Sequence, residues 1–375
     1  LAASLAPALA AGNGKIVVGY YASWVADKLT GFDFSQLTHV QLAFGIPAQD
    51  GSFAFDGDSL VPGVVSKAHA VGTKVVLSLG GWTGSYAFSP IVASAATRTT
   101  FVNNIVAYLA KYNLDGIDID WEYPGRLGDD CNKYTASDTA NYLLFLKQLR
   151  PALDAKFGAG TKLISAAVRV EPFDGADGPL ADISAFVPYF DYLSIMAYDL
   201  NGSWSTTTGP NAGLNYQAGK GEPFSVAKAI ATWTKAGFPA AKLVLGTPFY
   251  GHSMTATQLM TPGTTGQYSS KLATVPKGDQ DDDNQWKDPC SNSPAAFSGD
   301  WAWRNLRSQG VLTAPTVAGS GWSRYWDDTT KTPWLFNNQT KVFISYDDPV
   351  SLGYKVDYAA AQGLLGVMTW ALDQD

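Results

Sequence analysis

Short apolar runs recur along the chain and alternate with segments in which apolar residues repeat at the spacing of an amphipathic helix. The runs have the length of β-strands, and their alternation with helical segments favours a parallel sheet. They predict strands at residues 16–21, 39–45, 74–79, 114–122, 163–168, 192–198, 243–249 and 366–371. Helical spacing predicts helices at 60–70, 97–111, 137–157, 225–236 and 350–362. The predicted fold class is therefore α/β, a (β/α)₈ TIM barrel.

The spacing between strands breaks once, before the last strand. Residues 250–365 span about 115 positions, where one βα unit takes about 30. This span holds six tryptophans and strand-like pieces such as 341–346. We expect a small α+β domain at residues 252–345, inserted between strands seven and eight, with the barrel formed by 13–251 and 346–375.

A row of acids marks the fourth strand. Asp118, Asp120 and Glu122 occupy every second position and alternate with apolar residues, so their carboxyls share one face of a strand, roughly 6 to 7 Å apart. Like charges at that distance oppose joint ionisation and raise at least one pKa. Pro124-Gly125 ends the strand, which predicts Glu122 at its carboxyl end, where a parallel barrel carries its chemistry. The alternative is an acidic, solvated edge strand.

Composition favours a large folded core and excludes several partners. The 375 residues are 46% hydrophobic, and 13% are aromatic, including 12 Trp. That excess suggests flat surfaces on which a ligand stacks, although core packing is the competing use of Trp. A net charge of −7 without a basic run argues against nucleic acid and against an anionic membrane surface. No apolar run approaches transmembrane length.

The beginning of the chain resembles the end of a signal peptide. Residues 1–12 are small and apolar, with a possible cleavage site at Ala8-Leu9-Ala10; a short capping helix is the alternative. We therefore expect a secreted, extracellular protein, which suits the sequons at Asn201 and Asn338. Cys131 and Cys290 could be two free thiols, but secretion favours a bridge between them. We also expect a monomer.

Metal and nucleophile chemistry find little support. The three His and two Cys form no cluster with zinc spacing. The acid-rich run 279–283 lacks the alternating ligands of a calcium loop, and we expect it to be a solvated loop. The sequence has no nucleophile elbow, phosphate loop or dinucleotide fingerprint. We expect no metal and no cofactor, and general acid catalysis by a carboxyl remains.

The predicted strand ends carry residues suited to a sugar. Aromatic rings stack on the apolar faces of pyranose rings, and a few polar groups bind their hydroxyls. Any one aromatic could instead fill the barrel, but seven of the eight strand ends agree. The residues at these ends are Tyr20, Trp24, Phe44, Trp82, Glu122, Met196, Tyr198, Asp199, Tyr250 and Trp370.

Five motifs in order resemble the family-18 glycoside hydrolases, the chitinases. The run from Asp115 to Glu122 matches their DGxDxDxE signature. The remaining matches are Ser78-Leu79-Gly80-Gly81 on strand three, Met196-Ala197-Tyr198-Asp199 on strand six, Pro248-Phe249-Tyr250-Gly251 on strand seven and Trp370 on strand eight. The resemblance extends from about residue 16 to the end. One departure is His252, where many relatives with this insertion carry Arg, which puts one sugar contact in doubt.

The resemblance implies the catalytic residues and the substrate, which is chitin and chito-oligosaccharides. Glu122 would protonate the glycosidic oxygen, while the 2-acetamido oxygen of the sugar acts as nucleophile, with retention. Asp120 would orient the acetamido group and stabilise the oxazolinium, sharing its proton with Asp118. Tyr198 would hydrogen-bond the acetamido oxygen. The residues expected to bind the substrate are Tyr20, Phe44, Trp82, Met196, Asp199, Tyr250 and Trp370.

Two other functions fit the same motifs. A chitin-binding lectin would use the same barrel to hold the polymer without cutting it, but the loss of the acid marks that path and Glu122 is present. An endo-β-N-acetylglucosaminidase acting on N-glycans shares the acid motif. The inserted domain favours chitin, because a wall beside the cleft suits a long linear polymer.

Overall fold

The computed structural model describes residues 14–288, 290–291 and 293–375; the predicted signal-peptide remnant lies outside them. Eight parallel strands pair in sequence order, and the first also pairs with the last, which closes the barrel. The predicted TIM barrel is confirmed. Its strands are β1 Ile16–Ala22, β2 His39–Pro47, β3 Lys74–Gly80, β4 Gly116–Asp120, β5 Leu163–Val168, β6 Tyr192–Ile195, β7 Leu243–Pro248 and β8 Gly366–Trp370.

In the ranges given above, six helices pack around the outside of the barrel, and a seventh, Trp303–Ser308, belongs to the insertion. They are α1 Val61–Ala70, α2 Phe88–Ala93, α3 Ala95–Tyr112, α4 Asp138–Phe157, α5 Val226–Lys235, α6 Trp303–Ser308 and α7 Pro349–Ala361. Five of them were predicted, and each end lies within two residues of the prediction. α4 buries an apolar stripe that includes Tyr142, Phe145 and Leu149, which is the spacing of one helix face. α7 begins with a capping box between Asp348 and Ser351.

Alternation along β4 turns its apolar side chains towards the surrounding helices and its acids into the barrel. On β4, Ile117 and Ile119 pack into the apolar core that the helices share, so Asp118 and Asp120 point inward. β4 ends at Asp120 and β6 ends at Ile195, so both strands are shorter than predicted. Glu122 consequently lies two residues beyond the strand, in the turn above the barrel.

The inserted segment forms a second sheet of five antiparallel strands. In sheet order the strands are Asp300–Ala302, Tyr250–Thr255, Val342–Ser345, Thr332–Asn337 and Trp322–Asp327. Trp301, Trp303 and Trp334 are buried, whereas Trp286 is 61% exposed. The expected domain boundary between residues 251 and 252 falls inside the strand Tyr250–Thr255 of this sheet. The remaining short strands are Phe53–Ala54, Asp174–Gly175, Gly178–Pro179, Leu312–Ala314 and Val317–Ala318.

The acid-rich run 279–283 is structural, so the expectation of a solvated loop is wrong for its first residue. Asp279 is 3% exposed, and its Oδ2 accepts bonds from Ala302 N and Asn305 Nδ2, both at 2.8 Å. The carboxylate therefore satisfies donors where a strand passes into α6. Asp281 pairs at 3.0 Å with Lys28, which follows β1. This pair fastens the insertion to the barrel.

The two cysteines are joined. A disulfide links Cys131, in the segment after β4, to Cys290, in the insertion, across a sequence separation of 159. The expected bridge between these parts of the chain is thus present in the structure. Within the residues described, no helix is long and apolar enough to cross a bilayer.

Candidate active site

A cleft of about 870 Å³ opens at the carboxyl ends of the barrel strands. A second arm of about 380 Å³ adjoins it and shares Glu122, Met196, Tyr198 and Asp199 with it. Glu122 therefore lies at the junction of the two arms. Ten residues expected at the site line the larger arm: Tyr20, Phe44, Trp82, Asp120, Glu122, Met196, Tyr198, Asp199, Tyr250 and Trp370.

Asp118 lies beneath the cleft, fully buried in the barrel. Its carboxylate accepts three hydroxyl bonds, from Tyr20 at 2.9 Å, Ser78 at 2.7 Å and Ser165 at 2.6 Å. Burial raises the pKa of Asp118 above its usual value, while these bonds oppose the rise by stabilising the anion. The three donors come from β1, β3 and β5, so the carboxylate is held from three sides.

Asp120 lies above Asp118, at the end of β4. It is 4% exposed, and its Oδ1 has no hydrogen-bond partner among the residues that the structure describes. Burial, followed by the charges of Glu122 and Asp118, raises the pKa of Asp120 well above its usual value. A buried oxygen without a partner carries a free-energy cost that a polar ligand group can relieve.

Hydrogen bonds fix both the backbone N–H and the backbone carbonyl of Glu122. Its N–H donates to Ser85 Oγ, and its carbonyl accepts from Asn132 Nδ2, both at 2.9 Å. Burial raises the pKa of Glu122 to about 7; the Asp199 charge adds to this rise, and a hydrogen bond with Tyr123 opposes it. The carboxyl is therefore partly protonated at neutral pH, as a general acid requires.

Glycine allows β3 and β4 to approach each other at the acid row. Gly80 has φ of +108°, and a Cβ there would lie 2.2 Å from the Asp120 carbonyl oxygen. The next residue, Gly81, donates its N–H to that oxygen at 2.9 Å. The glycine pair of the strand-three motif thus positions the segment that carries the acids.

An aromatic wall stands beside the acids. The Trp370 ring is stacked on Phe44 with centroids 5.5 Å apart and meets Tyr20 edge-on at 5.3 Å. Trp24, 61% exposed, extends this wall at 6.0 Å from Phe44. Trp82, half-exposed, lies on the Tyr123 side of the cleft with ring centroids 6.5 Å apart.

Tyr198 and Asp199 follow β6 and face the acids from across the cleft. The Tyr198 hydroxyl approaches Met368 Sδ at 3.9 Å, a weak contact that leaves it able to bind a ligand. Burial raises its pKa well above the usual value, so it stays a hydrogen-bond donor. Asp199 has φ of +56°, and its Oδ1 accepts a bond from Tyr250 OH at 2.5 Å.

Comparison with known proteins identifies the family. The family model described as "Glycosyl hydrolases family 18" matches residues 16–375. The chain belongs to this family. It is 38% identical over 391 residues to a chitinase-like effector of Moniliophthora perniciosa, covering 97% of this chain and 86% of that protein. It is 33% identical over 435 residues to Chitinase A1 of Niallia circulans, covering 99% of this chain and 58% of that protein.

A solved structure agrees with this assignment. The crystal structure of a chitinase from Rhizomucor miehei matches the family 18 chain with a TM-score of 0.86 and 38% identity, and the match covers 96% of each chain. The family recognised from the five motifs is confirmed.

Part of the cleft of this family 18 member was not expected from its sequence. The larger arm is also lined by the segment after β2, namely Asp56, Gly57, Ser59 and Leu60. The second arm contains Tyr123 and Trp204. None of these residues ends a barrel strand; Tyr123 follows Glu122 in the turn after β4. Trp24 was placed at a strand end but was not counted among the binding residues.

One group of potential metal ligands lies elsewhere. Within the described part of the chain, Asp129, Asp288 and Cys290 bring ligand atoms within 4.8 Å of one another. Cys290 Sγ is already bonded in the disulfide, which leaves two carboxylates. Two carboxylates alone fall short of the oxygen shell of calcium or the four ligands of zinc.

Proposed function

We propose that this protein is a chitinase, which hydrolyses the β-1,4 linkages between N-acetylglucosamine units of chitin and chito-oligosaccharides with retention. The observation that carries the proposal is Glu122, a buried carboxyl with a pKa of about 7 at the junction of two cleft arms. A group with that pKa can donate its proton at neutral pH and accept one later in the cycle. Relatives named chitinases support the same substrate class.

In the first step, Glu122 gives its proton to the glycosidic oxygen as the bond from that oxygen to C1 breaks. The 2-acetamido oxygen of the same sugar forms the new bond to C1, so no carboxylate nucleophile is needed. The Tyr198 hydroxyl donates to that acetamido oxygen. The acetamido N–H binds Asp120 Oδ1, the atom without a hydrogen-bond partner among the described residues. Asp120 balances the oxazolinium charge once its own proton has passed to Asp118.

In the second step, water attacks C1 from the side that the leaving group has vacated. The Glu122 carboxylate takes a proton from this water as the bond between C1 and the acetamido oxygen breaks. Two inversions at C1 give net retention. Trp370, Phe44 and Trp24 provide ring faces on which the sugars stack.

A second candidate function is binding without turnover. It is favoured by the name of one relative, a chitinase-like effector at 38% identity. Against it stand Glu122, Asp120 and Asp118, all present at the cleft or directly beneath it. The two candidates share a ligand and differ in catalysis.

Hydrolysis of chitin hexamer separates these candidates. We expect the wild-type protein to cleave the hexamer and Glu122→Gln to lose at least 10² to 10⁴-fold in rate, while calorimetry shows that the variant still binds. Wild-type protein that binds the hexamer and releases no products over days would favour the second candidate. An N-glycan substrate is the control for the endo-β-N-acetylglucosaminidase alternative, and we expect it to be left intact.

Partly acetylated chitosan tests the nucleophile. Because the acetamido oxygen attacks C1, we expect every new reducing end to carry N-acetylglucosamine. Sequencing of the products checks this. Glucosamine at new reducing ends as often as N-acetylglucosamine would rule out the substrate-assisted route.

We further propose that the protein is secreted and acts as a monomer. The disulfide between Cys131 and Cys290 supports an oxidising compartment.

A further inference from the structure

His252 joins an acid of the cleft to an acid of the insertion. It lies in the strand Tyr250–Thr255 and is paired in register with Asp300 on the neighbouring strand. His252 Nδ1 is 2.7 Å from Asp300 Oδ1, and His252 Nε2 is 2.7 Å from Asp199 Oδ1. The imidazole is 8% exposed, while both carboxylates are about half-exposed.

The two contacts fix the protonation of the ring. A carboxylate only accepts hydrogen bonds, so an imidazole that bonds one with each nitrogen carries both protons and a positive charge. Burial alone lowers the pKa of His252, but hydrogen bonds and charges from Asp199 and Asp300 outweigh it and raise the pKa to about 10. The cation therefore persists throughout the neutral range.

Both hydrogen bonds that the Asp199 carboxylate accepts from side chains end on the same oxygen. His252 and Tyr250 OH both bond Oδ1, so Oδ2 is the atom with which Asp199 can bind a ligand. The backbone of Asp199 is in the left-handed region, and its N–H donates to Asn211 Oδ1 at 2.8 Å. Asp199 lines both arms of the cleft, and its charge acts on Glu122.

We propose that His252, held by Asp300, is a positioning residue for Asp199: it fixes this carboxylate at the junction of the arms and balances its charge beside Glu122. The insertion thereby takes part in the active site instead of serving only as a wall. This inference rests on the proposed function for its effect on turnover. The effect of His252 on the titration of Glu122 can be measured without turnover.

The charges around Asp199 and His252 predict how the pKa of Glu122 responds when His252 is replaced. Asp199 and His252 are faced by Asp300, Tyr250, Tyr198, Tyr123 and Glu122, and the adjoining arm carries Arg126, Arg169, Glu171 and Glu222. Asp120 also faces Glu122. Removal of the His252 cation leaves the Asp199 charge uncompensated. An uncompensated negative charge nearby raises the pKa of a carboxyl, so the pKa of Glu122 should rise.

The variants His252→Gln and His252→Arg separate charge from shape. Glutamine keeps one donor and removes the cation, whereas arginine restores it. We expect His252→Gln to raise the titration midpoint of Glu122 by about half to one pH unit. NMR of the Glu122 carboxyl carbon measures this midpoint. The alkaline limb of the kcat/KM profile should shift with it, and KM for chitin tetramer should rise about tenfold. His252→Arg should restore both values.

A second histidine provides the matched control. His69 Nε2 is also 2.8 Å from a carboxylate oxygen, Asp115 Oδ2, but this pair lies at the opposite end of the barrel. His69→Gln should leave the Glu122 midpoint and KM unchanged. An unchanged midpoint in folded His252→Gln, with activity lowered equally at every pH, would overturn the proposal and leave His252 a structural link.

Two further measurements keep the inference separate from the proposed function. If the Glu122 midpoint shifts but no variant or wild-type protein hydrolyses chitin, the charge balance stands and the proposed activity fails. If His252→Gln does not fold, Asp300→Asn takes its place. Loss of this acid should lower the pKa of His252 from about 10, and the NMR shifts of the ring nitrogens measure that change. An unaltered His252 titration in that variant contradicts the proposal.

Discussion

Ser85 and Glu122 are joined by a bond that fixes the acid through its main chain. Ser85 Oγ accepts the N–H of Glu122 at 2.9 Å and donates towards the carbonyl oxygens of Gly81, at 2.8 Å, and Asp120, at 3.1 Å. Ser85 is fully buried. One hydroxyl thus links the segment after β3 to the peptides on both sides of Trp121, and it sets the direction in which the Glu122 side chain leaves the backbone.

Removal of this hydroxyl should therefore reduce catalysis. Ser85→Ala leaves the buried Glu122 N–H without its acceptor, which costs about 1–3 kcal/mol. We expect kcat on chitin hexamer to fall about tenfold or more with little change in KM, and urea unfolding to show the loss of stability. Ser89→Ala is the control. Ser89 Oγ also donates a buried hydrogen bond, at 2.7 Å to Asp138, but it has no hydrogen bond with Asp118, Asp120 or Glu122. Equal effects of the two substitutions on kcat would contradict the assigned role of Ser85.

The raised pKa of Glu122 predicts how stability changes with pH. The pKa rises from an ordinary 4.5 to about 7, so between these values the folded protein binds more protons than the unfolded chain. Stability contributed by this group is complete below pH 4.5 and is lost as pH rises through 7. Glutamine does not titrate. The stability of Glu122→Gln relative to wild type should increase from pH 4.5 to 7 and then level off.

Denaturant titrations of both proteins at several pH values measure this difference. The same pKa also predicts that wild-type kcat/KM declines above about pH 7, because the acid form of Glu122 is depleted. A stability difference that is constant from pH 4 to 8 would show that the Glu122 pKa is ordinary in the folded protein.

The two sequons differ in their surroundings. Asn201 is 2% exposed, its Nδ2 donates to Pro210 O at 2.9 Å, and its Oδ1 accepts from Glu222 N at 3.2 Å. Asn338 is exposed in the turn between two insertion strands. A glycan is bulky and needs a surface amide nitrogen. In a eukaryotic secretory host we expect a glycan on Asn338 and none on Asn201.

Mass spectrometry before and after glycosidase treatment checks this expectation. Asn338→Gln should abolish the mass difference. Asn201→Gln should leave the difference in place and lower stability through its two lost bonds. A glycopeptide containing Asn201 would mean that this loop differs from the structure described here.

The sequence allowed prediction of the parts of the site that depend on strand period and strand ends. Alternation placed Asp118 and Asp120 inside the barrel, and the position after each strand placed Tyr198, Asp199 and Trp370 at the cleft. Local patterns say nothing of contacts between distant segments. The bond from Glu122 N to Ser85 crosses 37 positions, and that from Asn132 to the Trp82 carbonyl crosses 50.

His252 illustrates the same limit. The resemblance marked it as a departure from Arg, but its two acidic partners come from residues 53 and 48 positions away. The burial of Asp279 was missed for a related reason, because an acid run resembles a solvated loop until the strand and helix it satisfies are placed beside it.

The disulfide also has a topological consequence. Cys131 and Cys290 close a covalent ring that contains β5, β6, β7 and the first strand of the insertion, while β4 and β8 lie outside it. A protease that cuts the backbone once within this ring leaves both pieces attached to each other. The cleft residues Tyr198 and His252 would then remain tethered to the chain that carries Glu122, so a nicked molecule can keep an assembled active site where proteases are abundant.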